Sequence, residues 1–174
     1  MSEIVLCCGK VCAGKSIFSR FLEDRYSFYH FSADTWMLHF YEETSDRKLF
    51  DLRLQKCISM INSLADRILF HGSDVVLDFG YWKHSDRLLA MDHYQSLGHK
   101  TNVVYFPIDI DTQIKHMNAR QKSRIDQDYK FDRRTVEALN EYFEEPNQDE
   151  ETLTREEYLK IIGKMRLASV PGSL

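Results

Sequence analysis

Apolar residues in this chain fall into short continuous runs separated by longer stretches of helical spacing. Residues 4–8 (Ile4, Val5, Leu6, Cys7 and Cys8) form an unbroken run, as expected of a strand buried on both faces. Ile17, Phe18, Phe21 and Leu22 then recur at helical spacing. Aromatic, β-prone residues at 27–32 predict a second strand whose end delivers Asp34. A helical region follows, broken by charged and polar residues near 42–48. It resumes with Leu54, Cys57, Ile58, Ile61, Leu64, Ala65, Ile68 and Leu69 on one face, and His71 and Gly72 end it. Residues 74–80, with Val75, Val76 and Leu77 at their centre, predict a third strand, central and parallel. Ser85 is placed to cap a helix that runs to Leu97 and closes at Gly98. Residues 101–107 predict a fourth strand, after which Asp111 or Thr112 caps a helix through about Lys122. Beyond residue 112 the pattern is wholly helical, with a loose tail over 167–174.

The alternation of strand and helix predicts an α/β fold, a mostly parallel, doubly wound sheet between two helical layers. At 174 residues the chain suits one domain, here 1–166, with a helical lid region at about 112–134. Sheets of this kind take ligands beyond the carboxyl ends of their strands, where residues 9–16, Asp34 and Asp78 all fall.

Gly9, Lys10, Val11, Cys12, Ala13, Gly14, Lys15 and Ser16 read G-x-x-x-x-G-K-S, the Walker A or P-loop pattern. Glycines allow the close turn, and the N–H groups from the loop into Ile17 make a cradle for polyphosphate at a helix N-terminus. Lys15 is expected on the β- and γ-phosphates of a nucleotide, and the Ser16 hydroxyl on Mg²⁺. Asp78 is placed like a Walker B carboxylate, to hold the Mg²⁺ hydration shell directly or through Ser16; a strand-end aspartate capping a turn is the plainer alternative. Asp34 is placed to receive or position the proton of an attacking hydroxyl, although Ser32, Ala33, Asp34 and Thr35 also read as a helix N-cap. Arg120 and Arg124, four apart on one helical face, are expected to clamp the transferring phosphoryl group, with Arg133 and Arg134 as lesser candidates. Trp36, His39, Tyr81, Trp82 and His84 either line an acceptor pocket or belong to the core.

Charge narrows the partners. The net charge is −4, which offers no global field for nucleic acid or membrane. A basic segment from Lys115 to Arg134 precedes an acidic one from Glu137 to Glu157, blocks that usually form solvated helix faces. Cys7, Cys8, Cys12 and Cys57 show no metal spacing, and neighbours on a strand point to opposite faces. Reduced thiols and a cytoplasmic location are expected, without a signal peptide or membrane span. No pattern specifies an oligomeric state.

With these residues in place, the chain resembles a P-loop kinase-like ATP-binding family, often described as AAA-type ATPases. Small-molecule kinases, polynucleotide 5′-hydroxyl kinases and zeta-toxin-like kinases are similar to it. The resemblance is carried by the stretches 9–16, 31–37, 75–82, 118–121 and 142–146. It implies Lys15 and Ser16 for ATP and Mg²⁺, Asp34 for the acceptor and Arg120 for the lid. Similar polynucleotide kinases carry an arginine where this chain has Met37, which disfavours a nucleic-acid acceptor. The lack of an N-K-x-D pattern also favours ATP over GTP. The expectation is transfer of the γ-phosphoryl group of ATP to a hydroxyl of a small molecule. An ATPase switch acting through a protein partner and a polynucleotide kinase are the alternatives.

Overall fold

β1 (Glu3–Cys8) is buried along its whole length, and every other layer of the fold is placed by it. The computed structural model describes residues 2–122 and 132–168, with the side chains of 166–168 excepted. β1 pairs in parallel with β3 (Val75–Gly80) on one side and with β4 (Lys100–Tyr105) on the other. β2 (Tyr29–Ser32) adds to β3, and β5 (Thr152–Thr154) to β4, giving a five-stranded parallel sheet in the order β2-β3-β1-β4-β5. The helices are α1 (Lys15–Tyr26), α2 (Ala33–Phe40), α3 (Arg47–Phe70), α4 (His84–Ser96), α5 (Ile110–Lys122), α6 (Arg133–Asn140) and α7 (Arg155–Ala168).

Strand geometry sends alternate residues to opposite faces, so β1 feeds two separate cores. Ile4, Leu6 and Cys8 meet Ile61, Ala65 and Leu69 of α3 and Tyr94 of α4. Val5 and Cys7 meet Phe18 and Leu22 of α1 and Tyr158 and Ile162 of α7. Crossovers of one hand explain the split: β1 leads outward to β2 over one face, while β2 to β3 and β3 to β4 return over the other. Cys7 and Cys8 thus lie on opposite faces, and all four cysteines are free thiols. Burial pushes the Cys8 thiol up to about 11 and also raises Cys7.

Several local expectations are corrected by tertiary contacts. The chain past residue 112 is not wholly helical, because residues 152–154 form β5. That strand is only three residues long and owes its existence to the free edge of β4 rather than to any pattern of its own. Ser85 does not cap α4, which begins at His84; the His84 N–H donates instead to Glu144 Oε2 at 2.8 Å, from a distant loop. Neither Asp111 nor Thr112 caps α5. The Asp109 carboxylate does, accepting from Thr112 N at 2.8 Å and Thr112 Oγ1 at 2.7 Å. β2 begins at Tyr29, because Ser27 adopts a left-handed conformation that closes α1. α7 runs through Ala168, so residues 167 and 168 are helical, while 169–174 lie outside the described residues. No helix among the described residues is long and apolar enough to cross a membrane.

Candidate phosphate site at the carboxyl edge of the sheet

All five strands are parallel, so their carboxyl ends open on one edge, and the loop 9–14 turns there between β1 and α1. Gly9 donates its N–H to Gly80 O at 2.9 Å, tying the loop to the end of β3. A Cβ at Gly9 would stand 3.0 Å from Phe106 O, so the loop also leans on the chain leaving β4. Gly14 (φ 94) is the N-cap of α1 and offers no side-chain cap, and the first turn of α1 holds no acidic residue. Ser32, Asp46 and Asp132, by contrast, cap α2, α3 and α6 with side-chain oxygens. The first N–H groups of α1 have no partner within the helix and carry its positive dipole end. That is the chemistry of an anion site.

Two cationic and metal-binding features adjoin it. Lys15 Nζ lies across the loop, donating to Gly9 O at 2.9 Å and Lys10 O at 2.6 Å. Ser16 Oγ donates to Asp78 Oδ2 at 2.5 Å. Direct pairing of β1 with β3 makes this possible, since it sets the end of the Asp78 strand beside the loop. Asp78 is buried, which raises its pKa, but the neighbouring His30, the Lys15 charge and the Ser16 hydroxyl together hold it below the usual carboxylate range. His30 Nε2 is 3.8 Å from Asp78 Oδ2, an electrostatic approach too long for a hydrogen bond, and this buried nitrogen has no hydrogen-bond partner among the described residues. A hydroxyl beside an ionised carboxylate fits Mg²⁺, which takes one or two protein oxygens and completes its shell with water and phosphate.

Asp34 sits in the first turn of α2 and is exposed. Ser32, which caps that helix by accepting from Thr35 N at 3.3 Å, is the Cα partner of Asp78 across β2 and β3. Asp34 therefore stands two residues beyond the carboxyl edge, on the Asp78 side of the loop. Across the loop, α5 turns one face toward it. Gln113 and Met117 on that face are buried, and Arg120 follows at the same spacing near the helix end, exposed. Arg124 lies outside the described residues, as do residues 123–131 of the expected lid. Arg133 pairs with Glu137 at 2.8 Å on the surface of α6, and Arg134 is exposed on the same helix.

The aromatic candidates divide. Tyr81 is buried in the core, held at φ 43 directly after Gly80 (φ 86). Trp36 and Trp82 are half-buried, Trp36 edge-on to Phe31 and Phe40, Trp82 edge-on to Phe143. His39 bonds through Nδ1 to Thr35 O at 3.1 Å within its own helix, and His84 Nδ1 faces Glu150 Oε1 at 2.9 Å. Two open depressions of about 440 and 330 Å³ lie elsewhere, one lined by Asn62, Asp66 and His93, the other by Tyr29, Arg67 and His71.

Other contacts around the loop carry no local sequence signal. Lys10 reaches Glu145 at 3.3 Å and lies over the Phe143 ring at 5.5 Å. Gln113 Nε2 donates to Val11 O, and His116 Nδ1 to Cys12 O. Arg87 and Glu150, one on α4 and one just before β5, form a buried pair. Partners separated by tens of residues leave no periodicity or spacing to read.

Among curated protein sequences, none matches the chain. Similar folds occur in the ADP–AlF3 complex of Chaetomium thermophilum Kti12, at 16% identity over 98% of this chain and 100% of that one, TM-score 0.64. A putative kinase from Chloroflexus aurantiacus is 14% identical over 97% of this chain and 98% of its own, TM-score 0.71. A gluconokinase from Sinorhizobium meliloti is 13% identical over 97% of both chains, TM-score 0.62. These likenesses are of fold. A family model described as an AAA domain matches residues 4–146, a span that takes in the loop 9–16, Asp34, Asp78 and Arg120, and the chain belongs to that P-loop kinase-like, ATP-binding family.

Proposed function

We propose that this protein is an ATP-dependent phosphotransferase that moves the γ-phosphoryl group of ATP to a hydroxyl of a small-molecule acceptor. The observation that carries the reading is the register of Ser32 with Asp78, which brings the start of α2, with Asp34 in its first turn, to the edge of the sheet where Ser16 and Asp78 pair. A nucleotide switch needs the loop, the lysine and the hydroxyl–carboxylate pair. A further exposed carboxylate at the same edge is what an attacking hydroxyl needs.

The roles follow from position. The loop N–H groups and Lys15 bind and orient the β- and γ-phosphates. Ser16 and Asp78 would hold Mg²⁺, which would supply neutralisation of phosphate charge. Asp34 accepts the proton of the acceptor hydroxyl as its oxygen forms a bond to the γ-phosphorus. The bond from that phosphorus to the β–γ bridging oxygen breaks, and ADP leaves with its electron pair. Arg120 faces the charge that develops on the moving group. A small hydroxylated acceptor is in keeping with the name of the gluconokinase whose fold is similar. A polynucleotide acceptor is disfavoured, because Met37 is buried in the α2 interface and offers no cation to a phosphate backbone.

The switch reading draws on the contact of Lys10 with Glu145 and Phe143, a direct link from the loop to the C-terminal third of the chain. One experiment separates the two. The protein is incubated with Mg²⁺ and γ-labelled ATP, with and without a pooled library of sugars, nucleosides, hydroxylated antibiotics and 5′-hydroxyl oligonucleotides. Label on a library member establishes a kinase and names its acceptor class; label released only as free phosphate, indifferent to the library, supports the switch.

A further inference from the structure

The outer half of the P-loop is held from outside by α5, through residues that the chemistry above does not use. Gln113 is 0% exposed. Its Nε2 donates to Val11 O at 2.9 Å and to Asn140 Oδ1 at 3.2 Å, and its Oε1 accepts from Asn140 Nδ2 at 2.7 Å. A carbonyl oxygen only accepts, so Val11 O fixes which end of the Gln113 amide is nitrogen, and the reciprocal pair then fixes Asn140. Three residues along α5, His116 Nδ1 lies 3.0 Å from Cys12 O, and the same reasoning makes Nδ1 the protonated ring nitrogen.

In a trans peptide the C=O and the following N–H point in opposite directions, and every peptide described is trans. Drawing the Val11 and Cys12 carbonyls out toward α5 therefore turns the N–H groups of Cys12 and Ala13 the other way, into the loop. Cys12, between the two held peptides, has φ 59, a conformation that residues with a Cβ rarely adopt unless something outside maintains it. We infer that Gln113, Asn140 and His116 are positioning residues that preset two phosphate-binding N–H groups of the P-loop, those of Cys12 and Ala13. The inference rests on the nucleotide reading of the loop. It also joins the loop to the helix that carries Arg120, since the docked face of α5 runs through Gln113 and Met117 toward it.

The test measures Mg·ATP affinity by isothermal titration calorimetry, with circular dichroism and thermal melting without nucleotide as the check on folding. His116 is exposed, so His116→Phe is expected to fold and melt as the wild type does. Losing one oriented donor to a phosphate oxygen should weaken ATP binding about tenfold. His116→Gln, which keeps a donor, should return affinity to within about threefold of wild type. Gln113→Leu should weaken ATP binding by at least as much; because Gln113 is buried, the His116 pair decides if this variant does not fold. Binding by His116→Phe within about twofold of wild type overturns the inference. So does equal loss in His116→Phe and His116→Gln, which would mean ring shape and not the donated hydrogen bond. Wild-type protein that binds no ATP removes the nucleotide reading itself, and the inference with it.

Discussion

Arg87 and Glu150, 63 residues apart, form a bidentate pair, Nε to Oε2 at 2.6 Å and Nη2 to Oε1 at 2.9 Å. The Arg87 side chain is 1% exposed, and its Nη1 also donates to Tyr81 O at 3.0 Å and Glu144 O at 2.9 Å. One guanidinium thus ties together the turn after β3, the loop after α6 and the approach to β5. Removing one partner of such a pair strands the other charge in the interior. Glu150→Ala is expected to cost about 3–5 kcal/mol in a urea titration at neutral pH. A loss under about 1 kcal/mol would show that the pair is solvated in solution.

Acid should release the same tie. Chiefly through the hydrogen bonds from Arg87, the Glu150 carboxyl is lowered from 4.5 to about 2. Because its folded value lies below its unfolded one, the stabilisation is complete above the unfolded value and is lost as pH falls from about 5 toward 2. The loss amounts to roughly 3 kcal/mol. Wild type should lose more stability than Glu150→Gln between pH of about 6 and about 3, measured by denaturant midpoint. Parallel curves for the two proteins would contradict the assignment.

Asp78→Asn removes the charge beside Ser16 while keeping the shape. Turnover of ATP should fall about a hundredfold with Mg²⁺ present, a size typical for a lost charge-stabilising group. Nucleotide binding in the presence of a chelator should change little, because the loop is untouched. An unaltered Mg²⁺ titration of activity would remove Asp78 from the metal site.

Asp34→Asn separates acceptor chemistry from nucleotide binding. Phosphoryl transfer is expected to drop about 10²–10⁴-fold, with ATP affinity preserved within about twofold. Equal transfer rates in the two proteins would return Asp34 to its other duty, as a residue of the capped first turn of α2.

Gly80→Ala tests the turn that leaves β3. Gly80 has φ 86, and a Cβ there would lie 2.6 Å from Trp82 Nε1 and 2.8 Å from its Cδ1, so the indole must leave its contact with Phe143. The expected cost is about 2–4 kcal/mol, backbone strain plus lost packing. Gly98, at φ 82 with nothing within 4 Å of a built Cβ, is the matched control. Gly98→Ala should cost only about 1–2 kcal/mol, and equal thermal shifts in the two variants would argue against a Trp82 clash.

Local sequence specifies the strand, loop and helix over residues 4–22, the third and fourth strands and the long apolar face of α3. It also determines where the loop, Asp34 and Asp78 fall along the chain. Each of these is written in adjacent residues or in a short period, because a buried parallel strand must be continuously apolar and a phosphate loop must place glycines at set intervals. Long-range packing brings Asp78 within hydrogen-bond reach of Ser16 and sets His30 beside it. It alone makes residues 152–154 a strand, draws Glu150 out of an acidic block into the interior, and sets Gln113 and His116 against the loop carbonyls. The physical reason is common to all of these. A buried polar group needs a partner, but it places no demand on where along the chain that partner comes from.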